Sequence, residues 1–320
     1  MMMPGIPEPE QTTPSTTEDR WGAAGRSPAT AAVIALLGIG AFYFFVQIVF
    51  TIGGVIASVH DVGELMALRD SLGTSLEGFD LFVNPLRWAV MLSQYLALLL
   101  PTALLVRAWH TRSVRTYVRL QKAPVREIAL AVIGTVLIIP VGVLLTNLLR
   151  STTAEPSDVE KLTEKIFTAH SAPEFVFLVF VVAVTPAICE EFFFRGYVQR
   201  TFERVLGSRS VMMVGVIFGL FHMQPAGLLT LSMIGVWLGY VFFRSRSMLP
   251  NMAAHFTNNF IALWLAYQAP VVFGVNLQDD AELPIAWSVI SILLLGVVVW
   301  FYHRSTAARA TATDLPHALP

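Results

Sequence analysis

The amino-acid sequence predicts an all-α, polytopic integral membrane protein, a helical bundle of about eight transmembrane helices. Three observations support this class. Of the 320 residues, 55% are hydrophobic and only 13% are charged, whereas soluble domains carry about 25% charged residues. The apolar residues also fall in long runs of the kind that span a membrane. Finally, the net charge of −1 excludes a broad basic surface, so no nucleic-acid partner is expected.

Eight apolar stretches are the basis for the predicted number of helices. They are roughly residues 29–59, 88–106, 128–149, 175–189, 211–223, 228–243, 252–266 and 285–302. Because a bilayer core needs about 20 helical residues, the first three and the last are clear spans. The fourth to seventh are short and are interrupted or ended by polar residues, which is typical of helices inside a bundle. The functional residues are therefore expected within 175–266.

The ends of the chain differ in composition from the transmembrane domain, residues 28–302. Residues 1–27 are rich in Pro, Thr and Glu and predict a disordered tail, and residues 303–320 predict a second tail. With eight alternating spans, most Lys and Arg residues fall on the side of both termini, so both tails are expected in the cytoplasm and the protein in the cell membrane. The segment 151–173 contains apolar residues at helical spacing, which favours a helix on the outer surface.

Two adjacent carboxylates, Glu190 and Glu191, close the fourth stretch at the expected inner end of that span. A charge at mid-bilayer costs about 2.5–3.5 kcal/mol on insertion scales, so each needs a partner or a task. Arg195 follows Glu191 by four residues, the better orientation for an ion pair on one helix face. The side chain of Glu190 points about 100° away from that of Glu191 around the helix axis. No basic residue lies four positions before or after Glu190. An unpaired, partly buried carboxylate suits general acid–base catalysis.

Two histidines lie within apolar stretches, each in a short motif. His222 follows Phe218 by four residues in the fifth stretch, and His255 precedes Asn259 by four residues in the seventh. A single intramembrane histidine usually makes an interhelical hydrogen bond, and core packing is the expected role of Phe218. Together with Glu190, however, the two imidazoles and the carboxamide form a set of side chains suited to hydrolysis.

The three motifs resemble a known family when taken in order. They are EExxxR at 190–195, FxxxH at 218–222 and HxxxN at 255–259. This order is similar to the CAAX-protease and bacteriocin-processing family of intramembrane endopeptidases, which includes type II CAAX prenyl endopeptidases and many bacterial "abortive infection" proteins. The resemblance covers about residues 175–266, the expected protease core.

The resemblance implies an intramembrane endopeptidase that acts near the cytoplasmic face. Glu190 and His222 would activate a water, His255 and Asn259 would bind the oxyanion, and the pair Glu191–Arg195 would hold the geometry. The family is usually described as metalloproteases, and two mechanisms stay open here. Either Zn²⁺ is bound by Glu190, His222 and His255, or the glutamate acts without metal. Residue chemistry slightly favours the metal-free version, because asparagine is an uncommon zinc ligand and HExxH is absent from the sequence.

The expected partners are membrane lipid and a peptide or prenylated protein substrate. Two other functions use the same residues and stay open. A proton-coupled transporter also needs titratable groups inside the membrane. A non-catalytic membrane scaffold or immunity protein would retain the same fold without the chemistry. A scaffold would keep its function in Glu190→Ala, whereas a transporter would need gated access from both sides of the membrane, and the polar groups here cluster toward one side.

Overall fold

The computed structural model describes residues 19–59, 61, 63, 66, 83–150, 165–225, 227–268 and 285–308. All regular secondary structure in these ranges is helical, which confirms the predicted all-α class. Six of the helices are long and apolar enough to cross a membrane. The protein is therefore an integral membrane helical bundle.

Eight long helices and two short ones contain most of the described residues. In chain order they are α1 Arg20–Ala23, α2 Pro28–Ser58, α3 Val83–Trp109, α4 Val114–Tyr117, α5 Val125–Arg150, α6 Ala172–Leu206, α7 Arg209–Phe221, α8 Leu228–Ser245, α9 Met248–Gln268 and α10 Ile285–Ser305. Each of the eight apolar stretches corresponds to one long helix. Helix α2 packs on α3 and α6, α5 packs on α8, α9 and α10, and α7 packs on α8.

Residues 19–27, before α2, contact the rest of the bundle. Of the predicted tail 1–27, residues 1–18 lie outside the described residues, but Asp19 forms an ion pair with Arg204 and lies 2.8 Å from Nδ1 of His110. Trp21 stacks on Trp109 with ring centroids 4.4 Å apart. These contacts hold α1 against α3 and α6, so the described part of the predicted tail is packed on the bundle.

Two other segments assigned from the sequence are described only in part. Of the predicted surface helix 151–173, residues 151–164 lie outside the described residues. Of the second predicted tail, 303–320, residues 309–320 also lie outside the described residues. The start of this tail is helical, because α10 continues to Ser305.

Helix α6 is longer than the apolar stretch that predicted it. The span was expected to end near residue 189, but the helix continues to Leu206, which places Glu190 near its middle. The side chains of Phe193, Phe194 and Tyr197 are all fully buried, so the chain beyond the carboxylates still packs in the core. Two π-helical turns, Val179–Val184 and Phe194–Gln199, flank this point, and π-turns are frequent at functional sites.

Helix α7 is too short to cross the membrane. Its 13 residues extend about 20 Å, against about 30 Å for the hydrocarbon core. The helix ends at Phe221, so His222 stands at its carboxyl end within the bundle. Helix α8 approaches α7 closely, because a Cβ on Gly235 would lie 2.5 Å from the carbonyl oxygen of Gly215. Small residues at such a crossing allow tight packing in membranes.

Candidate active site

The centre of the site is the buried carboxylate of Glu191. Its Oε1 accepts a hydrogen bond from Nη1 of Arg195 at 2.7 Å and lies 2.8 Å from Nδ1 of His255. Its Oε2 accepts from Nδ2 of Asn251 at 3.3 Å. The side chains of Glu191 and Arg195 are fully buried. The carboxylate therefore ties α6 to α9 through three donors.

Arg195 extends the network to α7 and α8. Its Nη2 donates to the carbonyl oxygen of Gly235 at 3.1 Å, and its guanidinium carbon lies 4.3 Å from the ring centroid of Phe218. A buried charge needs an opposite charge and further hydrogen bonds to offset its desolvation. Arg195 has both, and it joins the helices that hold the two motif histidines.

Glu190 occupies a different environment from its neighbour. Its side chain is 13% exposed, and its Oε2 lies 3.9 Å from Nε2 of His255. The same oxygen has no hydrogen-bond partner among the described residues. A separation of 3.9 Å is too long for a direct hydrogen bond, and the oxygen itself is buried. Glu190 thus offers a free carboxylate oxygen beside an imidazole.

The orientation of His255 follows from its two carboxylate neighbours. The ionised carboxylate of Glu191, paired with Arg195, only accepts hydrogen bonds, so Nδ1 of His255 carries a proton. Nε2 then faces Glu190. An Arg-paired carboxylate that holds Nδ1–H also sets the direction of the imidazole ring, as outer carboxylates do for catalytic histidines.

Phe218 contacts both motif histidines. Its ring lies edge-on to those of His222 and His255, with centroid distances of 4.7 and 5.7 Å. The side chain is almost completely buried, so the expected core packing is present. It also joins His222 to the network around Arg195. His222 donates from Nδ1 to the carbonyl oxygen of Phe218 at 2.7 Å, which leaves its Nε2 available.

Asn259 is bound to the backbone of α6. Its Nδ2 donates to the carbonyl oxygen of Val182 at 2.8 Å. An α-helical hydrogen bond to that carbonyl would come from residue 186, and Pro186 has no N–H to donate. Asn259 therefore satisfies a backbone oxygen left by a proline. Since a carboxamide has two N–H donors, one remains for the expected oxyanion role.

Two residues near Glu190 and Glu191 were missed by sequence reasoning. Asn251 precedes His255 by four residues on α9 and bridges Glu191 to the carbonyl oxygen of Leu238. That spacing was a usable signal. Tyr43 of α2 is buried and lies near both Ser93 and Glu190. Nothing in the surrounding apolar stretch distinguishes this tyrosine.

The residues suggested for zinc do not form a metal site in this arrangement. Among the described residues, no group of three His, Cys, Asp or Glu side chains is placed to hold a metal ion. A catalytic zinc site uses three protein ligands at about 2.0–2.2 Å, and Glu190, His222 and His255 are not gathered in this way. Nδ1 of each histidine is hydrogen-bonded, so Nε2 is the atom of each ring that could bind a metal. The steps below are derived from the side chains of this chain alone.

The fold and these contacts define an integral membrane helical protein with a buried network of carboxylate, imidazole and guanidinium groups on α6, α7 and α9. A family model described as type II CAAX prenyl endopeptidase Rce1-like matches residues 172–261, from the start of α6 into α9. This segment of the chain is thus similar to the CAAX protease family, which confirms the resemblance seen in the motifs. The match supports an intramembrane CAAX endopeptidase at the level of the family. No curated protein and no solved structure matches the chain.

Proposed function

We propose that the protein is an intramembrane endopeptidase in which Glu190 activates the attacking water. The observation that most supports this is the free Oε2 of Glu190, 3.9 Å from Nε2 of His255, within the family-matched segment. Glu191, one residue later, is held by Arg195, so it is unsuited to accept a proton. The two adjacent carboxylates therefore take different roles.

The proposed oxyanion role requires His255 to donate from both ring nitrogens. Nδ1 lies 2.8 Å from Oε1 of Glu191, and Nε2 lies 3.9 Å from Oε2 of Glu190. The ring therefore lies between two carboxylates, of which only Glu191 is also paired with Arg195. Opposite charges placed in this way offset one another, which lowers the cost of burying them in a membrane.

The hydrolytic step follows from this geometry. Glu190 takes a proton from the water as its oxygen attacks the scissile carbonyl carbon, and His222 orients that water. The negative charge formed on the carbonyl oxygen is met by Nε2–H of His255 and the second amide N–H of Asn259. Glu190 then passes its proton to the amine as the C–N bond breaks, leaving one carboxylic acid and one amine. General base catalysis contributes about 10²–10⁴-fold and an oxyanion donor about 10²–10³-fold.

The proposed substrate is a peptide or prenylated protein at the cytoplasmic membrane surface. The family description names prenyl endopeptidases, and the protein itself is embedded in the membrane. A substrate anchored by a lipid chain reaches such a site by diffusing in the same bilayer. The cytoplasmic orientation rests on the distribution of basic residues in the sequence.

The test compares Glu190→Gln with Glu203→Gln in purified protein reconstituted into phospholipid nanodiscs. Glu203 is the matched control, because it accepts from Arg119 and Arg246 at 2.7 and 2.9 Å, outside the Glu191 network. The probe is a farnesylated peptide ending in Cys-aliphatic-aliphatic-X, and mass spectrometry measures release of its last three residues. We expect at least about a 10²-fold loss in Glu190→Gln and near wild-type cleavage in Glu203→Gln.

A second measurement covers substrates other than this peptide. Membrane proteomes of cells with wild-type protein and with Glu190→Gln are compared for peptides that accumulate in the variant. Equal cleavage by wild type and Glu190→Gln would show that this carboxylate is not the base. A wild-type protein that cleaves nothing in either experiment would favour the non-catalytic scaffold.

A further inference from the structure

A cleft of about 510 Å³ lies between the start of α5 and the end of α10, outside the candidate active site. Its lining combines two cations with an apolar floor: Arg126, Ala129, Leu130, Phe301, Arg304 and Ser305. Helices α5 and α10 are neighbours in the bundle. The cleft is at the end that the sequence predicts to be cytoplasmic. We call it the α5–α10 cleft.

Both guanidinium groups are positioned before any ligand binds. Arg126 donates from Nη2 to the carbonyl oxygen of Ser305 at 3.2 Å, which uses one of its five N–H donors. The guanidinium carbon of Arg304 lies 4.3 Å from the ring centroid of Trp300, so its edge donors remain free. Neither arginine pairs with a carboxylate among the described residues, and the neighbouring Glu127 is buried and does not line the cleft.

The chemistry of the two arginines favours a phosphate group. A guanidinium presents a planar set of donors that matches phosphate oxygens, often in pairs. Two such groups on one cleft, held by different helices, provide a site for a single phosphate. Among the described residues that line the cleft none is acidic, so the remaining donors can bind an anionic ligand from outside the protein.

The surface beside the cleft is suited to a lipid chain. Leu293, Val297 and Phe301 follow one face of α10 at four-residue spacing, and they are 67%, 51% and 51% exposed. We propose that the α5–α10 cleft binds one anionic phospholipid, with its phosphate against Arg126 and Arg304 and an acyl chain along this face. Basic clefts between transmembrane helices are known sites for acidic headgroups.

The test measures lipid preference by native mass spectrometry in micelles that contain phosphatidylglycerol and phosphatidylcholine with the same acyl chains. The wild type is expected to retain phosphatidylglycerol preferentially. Arg304→Gln leaves the Arg126–Ser305 hydrogen bond intact, and we expect its preference to fall by about fivefold. In the double variant Arg126→Gln/Arg304→Gln the expected fall is about 20-fold.

The control removes the same charge outside the cleft. Arg112 and Arg209 are exposed at the same predicted end of the bundle, and Arg112→Gln/Arg209→Gln is expected to keep the preference within twofold. An equal loss in this control would overturn the proposal, since general surface charge would then explain the binding. A wild type without preference would overturn it as well. Displacement of the lipid by inorganic phosphate at the same concentration would assign the cleft to a free anion instead.

Discussion

Replacing Arg195 with methionine tests the buried network most directly. The substitution removes the 2.7 Å ion pair to Glu191, the hydrogen bond to Gly235 and the contact with the Phe218 ring. Removing one partner of a buried ion pair costs about 3–5 kcal/mol, because the other charge stays buried without compensation. Since His255 still contacts Glu191 in Arg195→Met, we expect the lower end, about 3 kcal/mol.

The assay is a double-mutant cycle in mixed micelles. Unfolding by sodium dodecyl sulfate is followed by tryptophan fluorescence for wild type, Glu191→Gln, Arg195→Met and the double variant. The double variant buries neither charge, so most of the stability is expected to return. Its cleavage activity is expected to stay low, because His255 has lost the charged carboxylate that holds its Nδ1–H.

The control for this cycle is Arg209→Met. Arg209 is exposed at the start of α7, and exposed substitutions change the free energy of unfolding by about 0.5 kcal/mol or less. If Arg195→Met unfolds with the wild-type free energy, the buried charge is not the source of stability. A double variant as unstable as the sum of the two single variants would also refute the reasoning.

Three other predictions concern helix packing, pH and metal. Gly215→Ala would place its Cβ 2.6 Å from a backbone nitrogen of α8, so we expect the free energy of unfolding to fall by about 1–3 kcal/mol. In the control Gly38→Ala the new Cβ meets nothing within 4 Å, and identical unfolding curves for the two variants would contradict the prediction. Burial lowers the pKa of His110 despite the opposing effect of Asp19. Burial by itself raises the pKa of Asp19, but its hydrogen bonds and charge interactions with Arg204 and His110 outweigh that effect and lower the pKa. Both groups are thus harder to protonate in the folded protein. The stability that α1 docking provides is therefore complete above pH 6.5, the pKa of His110 in the unfolded chain, and it decreases as the pH falls. Tryptophan fluorescence of the Trp21–Trp109 stack measures the docking, and tighter docking at acidic pH would contradict the prediction. Cleavage is expected to persist in protein shown by elemental analysis to be free of metal, whereas activity lost on stripping and restored by zinc would establish the metal mechanism.

Part of the candidate active site was predictable because helical spacing is local. Four-residue spacing put Glu191 and Arg195 on one face, and in the structure they form an ion pair. The same spacing put His222 one turn after Phe218, whose carbonyl oxygen it binds. Such relations depend only on the geometry of one helix, which is constant at 3.6 residues per turn.

Contacts between helices were not predictable in the same way. The hydrogen bond from Asn259 to Val182 and the position of Phe218 between two imidazoles depend on the rotation and depth of separate helices. In a soluble protein a polar face shows which side of a helix is exposed. Here lipid and core are both apolar, so the sequence pattern does not distinguish them.

The sequence by itself determined the membrane class, the eight long helices and the candidate set of charged residues. Bilayer thickness and the need to satisfy every backbone group within a helix leave little choice once long apolar runs are present. The tertiary structure decided that α6 continues past Glu190 and that α1 is docked. It also decided that Asn251 and His255 of α9 join Arg195 at the carboxylate of Glu191. These outcomes come from packing between distant segments, where burial of particular side chains outweighs the local preference of the chain.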